Sequence, residues 1–163
     1  MPSSTFTFYQ DFKEQLGKAV HNLSSHTFKI ALTNTAPNVA THTVLADITQ
    51  LSTGGGYTGG AGGGLTLDSV TYTETGGTGT FIAADEVFTA SGASVGPFRY
   101  GVVYNDTATS PADALVGYVD YGSALTVYPP PVESWVMSAR TVCVATFGAV
   151  FVRAILNVCE ERL

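Results

Sequence analysis

The sequence predicts a mainly β protein, a jelly-roll-like sandwich or barrel with one N-terminal helix. Three observations predict it. Short aromatic and β-branched runs recur along the chain, each bounded by a turn signal. Eighteen glycines and seven prolines in 163 residues supply many turns and favour short strands over long helices. Only residues 9 to 23 carry a helical period.

The elements follow in order. Residues 1 to 8 read as an arm ordered by contact with neighbouring chains, because a terminus without internal anchors stays mobile. From 9 to 23, Phe12, Leu16, Ala19, Val20 and Leu23 share one helical face, and Glu14 with Lys18 makes a favourable i,i+4 pair. The helix is expected to stop near residues 22 to 25, where short polar side chains compete for backbone hydrogen bonds. Residues 27 to 33, TFKIALT, alternate Phe28, Ile30 and Leu32 against polar or small neighbours, a half-buried strand. Residues 34 to 43 form a loop around Pro37, and 44 to 51, VLADITQL, fit either a short strand or one helical turn.

The stretch STGGGYTGGAGGG at 52 to 64 is the most glycine-dense in the chain. A phosphate-cradling loop would need GK[ST] and a following helix, whereas LTLDSVTYT follows with strand period. It therefore reads as a mobile or extended surface loop, anchored by Tyr57 alone and ordered, like the arm, by neighbouring chains. Further strands are predicted at 65–74, with a slip of phase after Leu67, and at 80–90, 98–104, 115–121, 125–128, 134–138 and 142–152. Gly76-Gly77, residues 92–96, residues 105–111, Gly122-Ser123 and the prolines at 129–131 punctuate them. The predicted organisation is 1–26 arm and helix, 27–140 β domain, and 141–163 a C-terminal strand and tail of the same domain.

Composition limits function. Hydrophobic residues make up 45% and charged ones only 12%, about half the usual charged share, so the surface must be largely neutral Thr, Ser, Gly and Asn. The net charge is -6 and the seven basic residues are scattered, which argues against a nucleic-acid partner. The most apolar run, 141–152, falls short of the about 20 residues a bilayer requires, so no membrane is expected. The opening MPSSTFTFYQDFKEQ lacks the basic start and apolar core of a signal peptide, which predicts a soluble chain not exported by the ordinary route. Cys143 and Cys159 belong to no CxxC motif and read as buried thiols, with a late disulfide as the alternative.

No catalytic constellation emerges. His21, His26 and His42 lack ligand spacing and read as solvated. Asp85 and Glu86 are neighbours on a predicted strand and so point to opposite faces, wrong for a carboxylate dyad. No GxSxG motif occurs. The sequons at Asn22 and Asn105 would matter only in a secreted eukaryotic protein. No enzyme, metal or cofactor is expected. The segments PFRYGVVYND (97–106) and VGYVDYGS (116–123) read as paired core strands, with Arg99 and Asp120 forming a structural ion pair between them. In a buried pair of that kind each charge depends on the other. Phe6, Phe8, Tyr9, Tyr57, Tyr100, Tyr104, Tyr118 and Tyr121 are the candidate interface aromatics.

The order of several segments adds a resemblance. FYQDFKEQLGKAVHNLSSHTFKIALTNTAP, then TVLADIT, GGGYTGGAGGG, GPFRYGVVYNDTAT and LVGYVDYGS, resembles head decoration (cement) proteins of tailed bacteriophages over roughly residues 6 to 128. The resemblance implies a cofactor-free β protein on the outer surface of the head, made in the host cytoplasm and bound as homotrimers to the major capsid protein. Beyond Pro129 the chain departs from it, running on through RTVCVATFGAVFVRAILNVCEERL where a brief last strand would be expected. A tail- or fibre-associated virion protein and a carbohydrate-binding module, with exposed tyrosines as stacking platforms, are the alternatives.

Overall fold

A computed structural model of the chain describes residues 4–84, 86–129, 143–147 and 153–154. Strand β1 (Ser4–Phe8) leads into helix α1 (Gln10–Gly17), followed by β2 (Phe28–Thr33), β3 (Leu65–Thr66), β4 (Thr71–Thr75) and β5 (Thr78–Ile82). The long strands β6 (Val95–Thr109) and β7 (Ala112–Val127) come next, then the short β8 (Cys143–Phe147) and β9 (Arg153–Ala154). The expected class is observed: mainly β, sandwich-like, with one N-terminal helix.

The main layer has the order β3-β2-β6-β7-β1, every pair antiparallel. β4 and β5 form a hairpin that lies over it: Phe81 of β5 meets Phe28 of β2 edge-on, ring centroids 5.2 Å apart. β9 pairs with β1 and β8 with β5, and β8 pairs with β9, so hydrogen bonding continues from one layer to the other. Period-2 alternation splits the main sheet's side chains between two cores. One holds Phe6, Phe28, Ile30, Leu32, Val103 and Val119 with Phe12 of the helix. The other, on the opposite face, holds Ala31, Val102, Tyr104 and Leu115 beneath Leu45 and Ile48.

Several expectations are corrected. The described part of the arm is not left for a neighbouring chain: β1 pairs with β7 through Phe6↔Val119, Thr7↔Tyr118 and Phe8↔Gly117. The helix ends at Gly17 although the apolar stripe continues to Leu23. Ala19 adopts left-handed φ 59, and the Ala19 amide donates to Leu16 O (3.1 Å) while Val20 N donates to Gln15 O (2.9 Å). That is a Schellman closure, and it occurs here without glycine. Leu23 still reaches the core from a turn.

Residues 45–47 settle as a single 3-10 turn, its entry held by Asp47 Oδ2, which accepts from Thr43 N (2.8 Å) and Val44 N (3.1 Å). The phase slip after Leu67 is a break between β3 and β4, with Ser69 at φ 51. The two strands predicted at 115–121 and 125–128 are one strand, β7. The Gly122-Ser123 signal marks a bulge there, because the register jumps from Tyr100↔Asp120 to Phe98↔Leu125. β5 stops at Ile82, short of the predicted 90, and an irregular stretch turns Ala83, Phe88 and Ala90 inward. The strand predicted at 134–138, the thiols or disulfide of Cys143 and Cys159, and most of the 141–163 tail lie outside the described residues.

Candidate interaction surface

Arg99 and Asp120 do meet. β6 and β7 set Tyr100 opposite Asp120, and the neighbouring guanidinium takes the carboxylate in a fork, Nε–Oδ1 2.7 Å and Nη2–Oδ2 2.8 Å. The expected core location is wrong: the two side chains are 39% and 37% exposed. The pair sits where the bulge at 121–124 lifts β7 away from its partner, and the Gly122 amide adds a 2.7 Å bond to Asp120 Oδ1. Arg99's hydrogen bond, followed by that amide after a smaller opposing burial, holds the Asp120 carboxyl below its usual range. The guanidinium also lies 5.2 Å from the Tyr100 ring centroid.

The candidate interface aromatics divide sharply. Phe6, Tyr9, Tyr57, Tyr100 and Tyr104 are buried within the single chain and so present no face to a partner, a correction of their expected role. Each is held for a packing reason. Phe6 lies against Gly117, where a Cβ would come within 2.3 Å of its ring, so β7 needs glycine at that position. Tyr104 donates its hydroxyl to Gly63 O, and Tyr57 accepts from Leu32 N at 2.9 Å. Burial pushes the Tyr9 hydroxyl well up, aided by Tyr118 and Asp47. Phe8, Tyr118 and Tyr121 are half-buried and remain at the surface. Tyr118 packs on Tyr9 (centroids 5.9 Å) and edge-on to Tyr100 (6.0 Å), so its exposed edge is rigidly set.

The glycine-rich stretch is tied to its own chain rather than waiting for another. Gly54 and Tyr57 exchange both backbone hydrogen bonds at 2.9 Å, and Gly64 N donates to Thr58 O at 2.7 Å. Lys29 Nζ donates to Gly62 O at 2.8 Å while pairing with Asp106 at 2.9 Å. Gly64 has φ +91, and a Cβ there would lie 2.2 Å from Ile30 O, so the glycine lets the loop lie on the β2 backbone. Together these contacts seal the β2 edge beyond β3: Leu51 N donates to Leu32 O at 2.9 Å, and Tyr57 takes the Leu32 amide.

One polar cluster escaped the sequence reading. His21 is buried, not solvated, against the Phe12 ring (centroids 5.1 Å). Asn105, fully buried near the end of an apolar strand, directs its Nδ2 at Val20 O (3.1 Å), His21 Nδ1 (3.1 Å) and His26 Nδ1 (3.0 Å). An amide nitrogen has two hydrogens, so three acceptors compete for them. His21 Nε2 is buried without a partner, and burial, then His26, lowers the ring's pKa to about 4 against an opposing pull from Asp11. The burial of Asn105 also removes it as a glycosylation acceptor. An asparagine closing the apolar run FRYGVVY was the signal available. His42 Nδ1 accepts from Asn38 N at 3.2 Å and takes no part in the cluster.

Of the adjacent carboxylates, Asp85 lies outside the described residues, and Glu86 is mostly buried and accepts from Asp68 N at 2.8 Å. Among the described residues, no three His, Cys, Asp or Glu side chains converge to hold a metal ion, and no helix is long and apolar enough to cross a membrane. No family model matches the chain, nor does any characterised protein or solved structure.

Proposed function

We propose that this protein is a structural component of a tailed-phage virion. It binds the outer surface of the head as a homotrimer and stabilises the shell by bridging capsid subunits, without turnover of any substrate. The observation that carries this reading is the combination of a self-sealed β body with a neutral surface. One face of the main sheet is covered by the helix and the β4–β5 hairpin, the other by the turn at 45–48, and the β2 edge by the glycine-rich loop, while only 12% of residues are charged. Such a body resists deformation, and a surface of Thr, Ser and Gly suits a contact repeated many times. The segment order of decoration proteins supports it as well. An interface of ordinary size buries roughly 1,600 Å² in total, about half from each partner, and the gain multiplies over a lattice.

The test is to strip or delete the protein and heat the particles with and without it added back. Capsids lacking it should release DNA at lower temperature, and added protein should sediment with them at moderate salt, since apolar and backbone contacts are screened less than exposed ion pairs. Equal DNA retention together with no sedimentation sinks the proposal. A tail position or sugar binding would then take its place.

A further inference from the structure

Beside the Leu45–Asp47 turn the surface opens into a groove of about 590 Å³. Leu45, Ile48 and Leu51 give it an apolar lining, and the glycine-loop backbone at 59–61 forms another wall. Gln50, Ser52, Thr53 and Asp113 are its polar members, and Asp113 is the charged one. Gln50 donates its amide to Gly60 O at 3.2 Å, while its Oε1 is buried with no hydrogen-bond partner. Asp113 shares its surroundings with Asp106 and Lys29, but Lys29 is already held by Asp106 at 2.9 Å and by Gly62 O at 2.8 Å. Among the described residues no cation lies within ion-pair distance of Asp113. It is surplus negative charge, and burial, followed by Asp106, raises its carboxyl above the ordinary range.

A surplus carboxylate beside an apolar lining asks for a positive donor on an aliphatic stem. A bare hydrated cation would gain nothing from Leu51 and Ala61, and an apolar chain alone would leave Asp113 unmatched. We propose that this groove receives a lysine side chain of a protein partner, its methylenes against Leu51 and Ala61 and its ammonium on Asp113. The stem-buried, head-paired arrangement is how lysine ordinarily combines apolar and ionic contact. The groove exceeds the volume of one side chain, so flanking residues of the partner enter as well. The net charge of -6 favours approach of a basic segment. Only the identity of the partner, a capsid subunit, rests on the function proposed above.

The experiment titrates the full chain with N-acetyl-Ala-Lys-Ala-amide and with its norleucine counterpart, following side-chain and backbone amides by NMR. The lysine peptide should shift the Gln50 side-chain amide and the Leu51 and Gly60 backbone amides. The norleucine peptide should bind about tenfold more weakly, the loss expected for one charge-assisted contact. Asp113→Asn should show the same loss for the lysine peptide. Asparagine is chosen because Asp113 sits at φ 52, a region that Asn tolerates among non-glycine residues. Ala61→Phe, which fills the groove and leaves the charge, should weaken both peptides. Equal binding of the two peptides, or shifts confined to another surface, would overturn the proposal. Capsid sedimentation separates the two ideas. If Asp113→Asn sediments like the parent protein, the lysine does not belong to the capsid and the capsid reading survives. If the lysine peptide binds but the parent protein ignores capsids, the groove stands and the capsid reading falls.

Discussion

The β4–β5 and β6–β7 hairpins are built from similar residue types and experience different environments. β6 and β7 run for 15 and 16 residues, and Tyr100 to Asn105 are buried without interruption because both faces of that hairpin are covered. β4 and β5 have five residues each, and four of the five in β4 are exposed threonines or glutamate. A β-propensity scale would rank TYTET close to the central strands. Cover on the second face, more than propensity, sets how firmly each is held. The short hairpin is held by Phe81 meeting Phe28 and by the pairing of β5 with β8, whereas the long one is supported from β2, β1, the 3-10 turn and the helix.

The sharpest break in that comparison is Phe28→Ala. The side chain is fully buried and joins the two layers, so its loss should destabilise the fold by about 3–5 kcal/mol in denaturant melts. Thr73→Ala on the exposed face of β4 should stay within about 0.5 kcal/mol. Native-state hydrogen exchange sharpens the same contrast, with β4 amides opening locally and central β6 amides exchanging only through global unfolding. Equal losses from the two substitutions would mean the hairpin is not the weaker region.

Acid should loosen the long hairpin first, through His21 behind Asn105. Its folded pKa of about 4 lies below the ordinary 6.5, so the fold disfavours the charged ring. Above pH 6.5 the ring is neutral in both states and its full contribution is present. As pH falls from 6.5 towards 4 the unfolded chain takes up a proton that the folded chain refuses, and stability drops by about 3 kcal/mol. The facing groups are His26 and Asp11, with Asn105 and the Phe12 ring in contact. His21→Phe should flatten this part of the profile between pH 4 and 6.5. An unchanged slope would show that other groups carry the acid sensitivity.

The long hairpin also shows which features were legible. Its strands follow from alternation and β-branched content, and the Arg99–Asp120 pairing follows from their placement on neighbouring strands. The exposure of that pair does not, because it depends on a bulge at Gly122 that reads as a turn in one dimension. The apolar stripe continues past Ala19 and so predicts too long a helix, because the left-handed backbone of that residue carries no sequence mark. The glycine loop looked mobile for a related reason. Its restraints, Tyr57 on Leu32, Tyr104 on Gly63 and Lys29 on Gly62, reach across 25 to 41 positions. Burial of five interface candidates was hidden likewise, since an aromatic residue fits a core or an interface equally well.

That loop offers a subtler contrast with β4, whose outer edge has no strand partner among the described residues. On β2 the equivalent edge is closed by Tyr57. Tyr57→Phe keeps the ring in the core and orphans the buried Leu32 amide, an expected loss of about 1–3 kcal/mol in thermal or denaturant melts. In the parent protein the Gly64 and Leu51 amides should be protected from exchange in an isolated chain, because both are bonded internally. Exchange at random-coil rates in a monomer would instead return the loop to dependence on neighbours.

The smallest effect is expected from Arg99 and Asp120, although they meet in a two-pronged fork. A bidentate fork at 2.7 and 2.8 Å would matter greatly in a core, where loss of either charge strands the other. Here more than a third of each side chain meets water, so solvent supports whichever partner remains, and salt screens what attraction is left. Arg99→Ala and Asp120→Ala should therefore each cost far less than Phe28→Ala, with little coupling in the double mutant. Asp120→Ala should exceed Arg99→Ala, because it also releases the Gly122 amide that shapes the bulge. Melts at low and high salt provide the check. A large coupling that persists in high salt would mean the pair is shielded in solution, as it would be if a partner chain covered this end of β6 and β7.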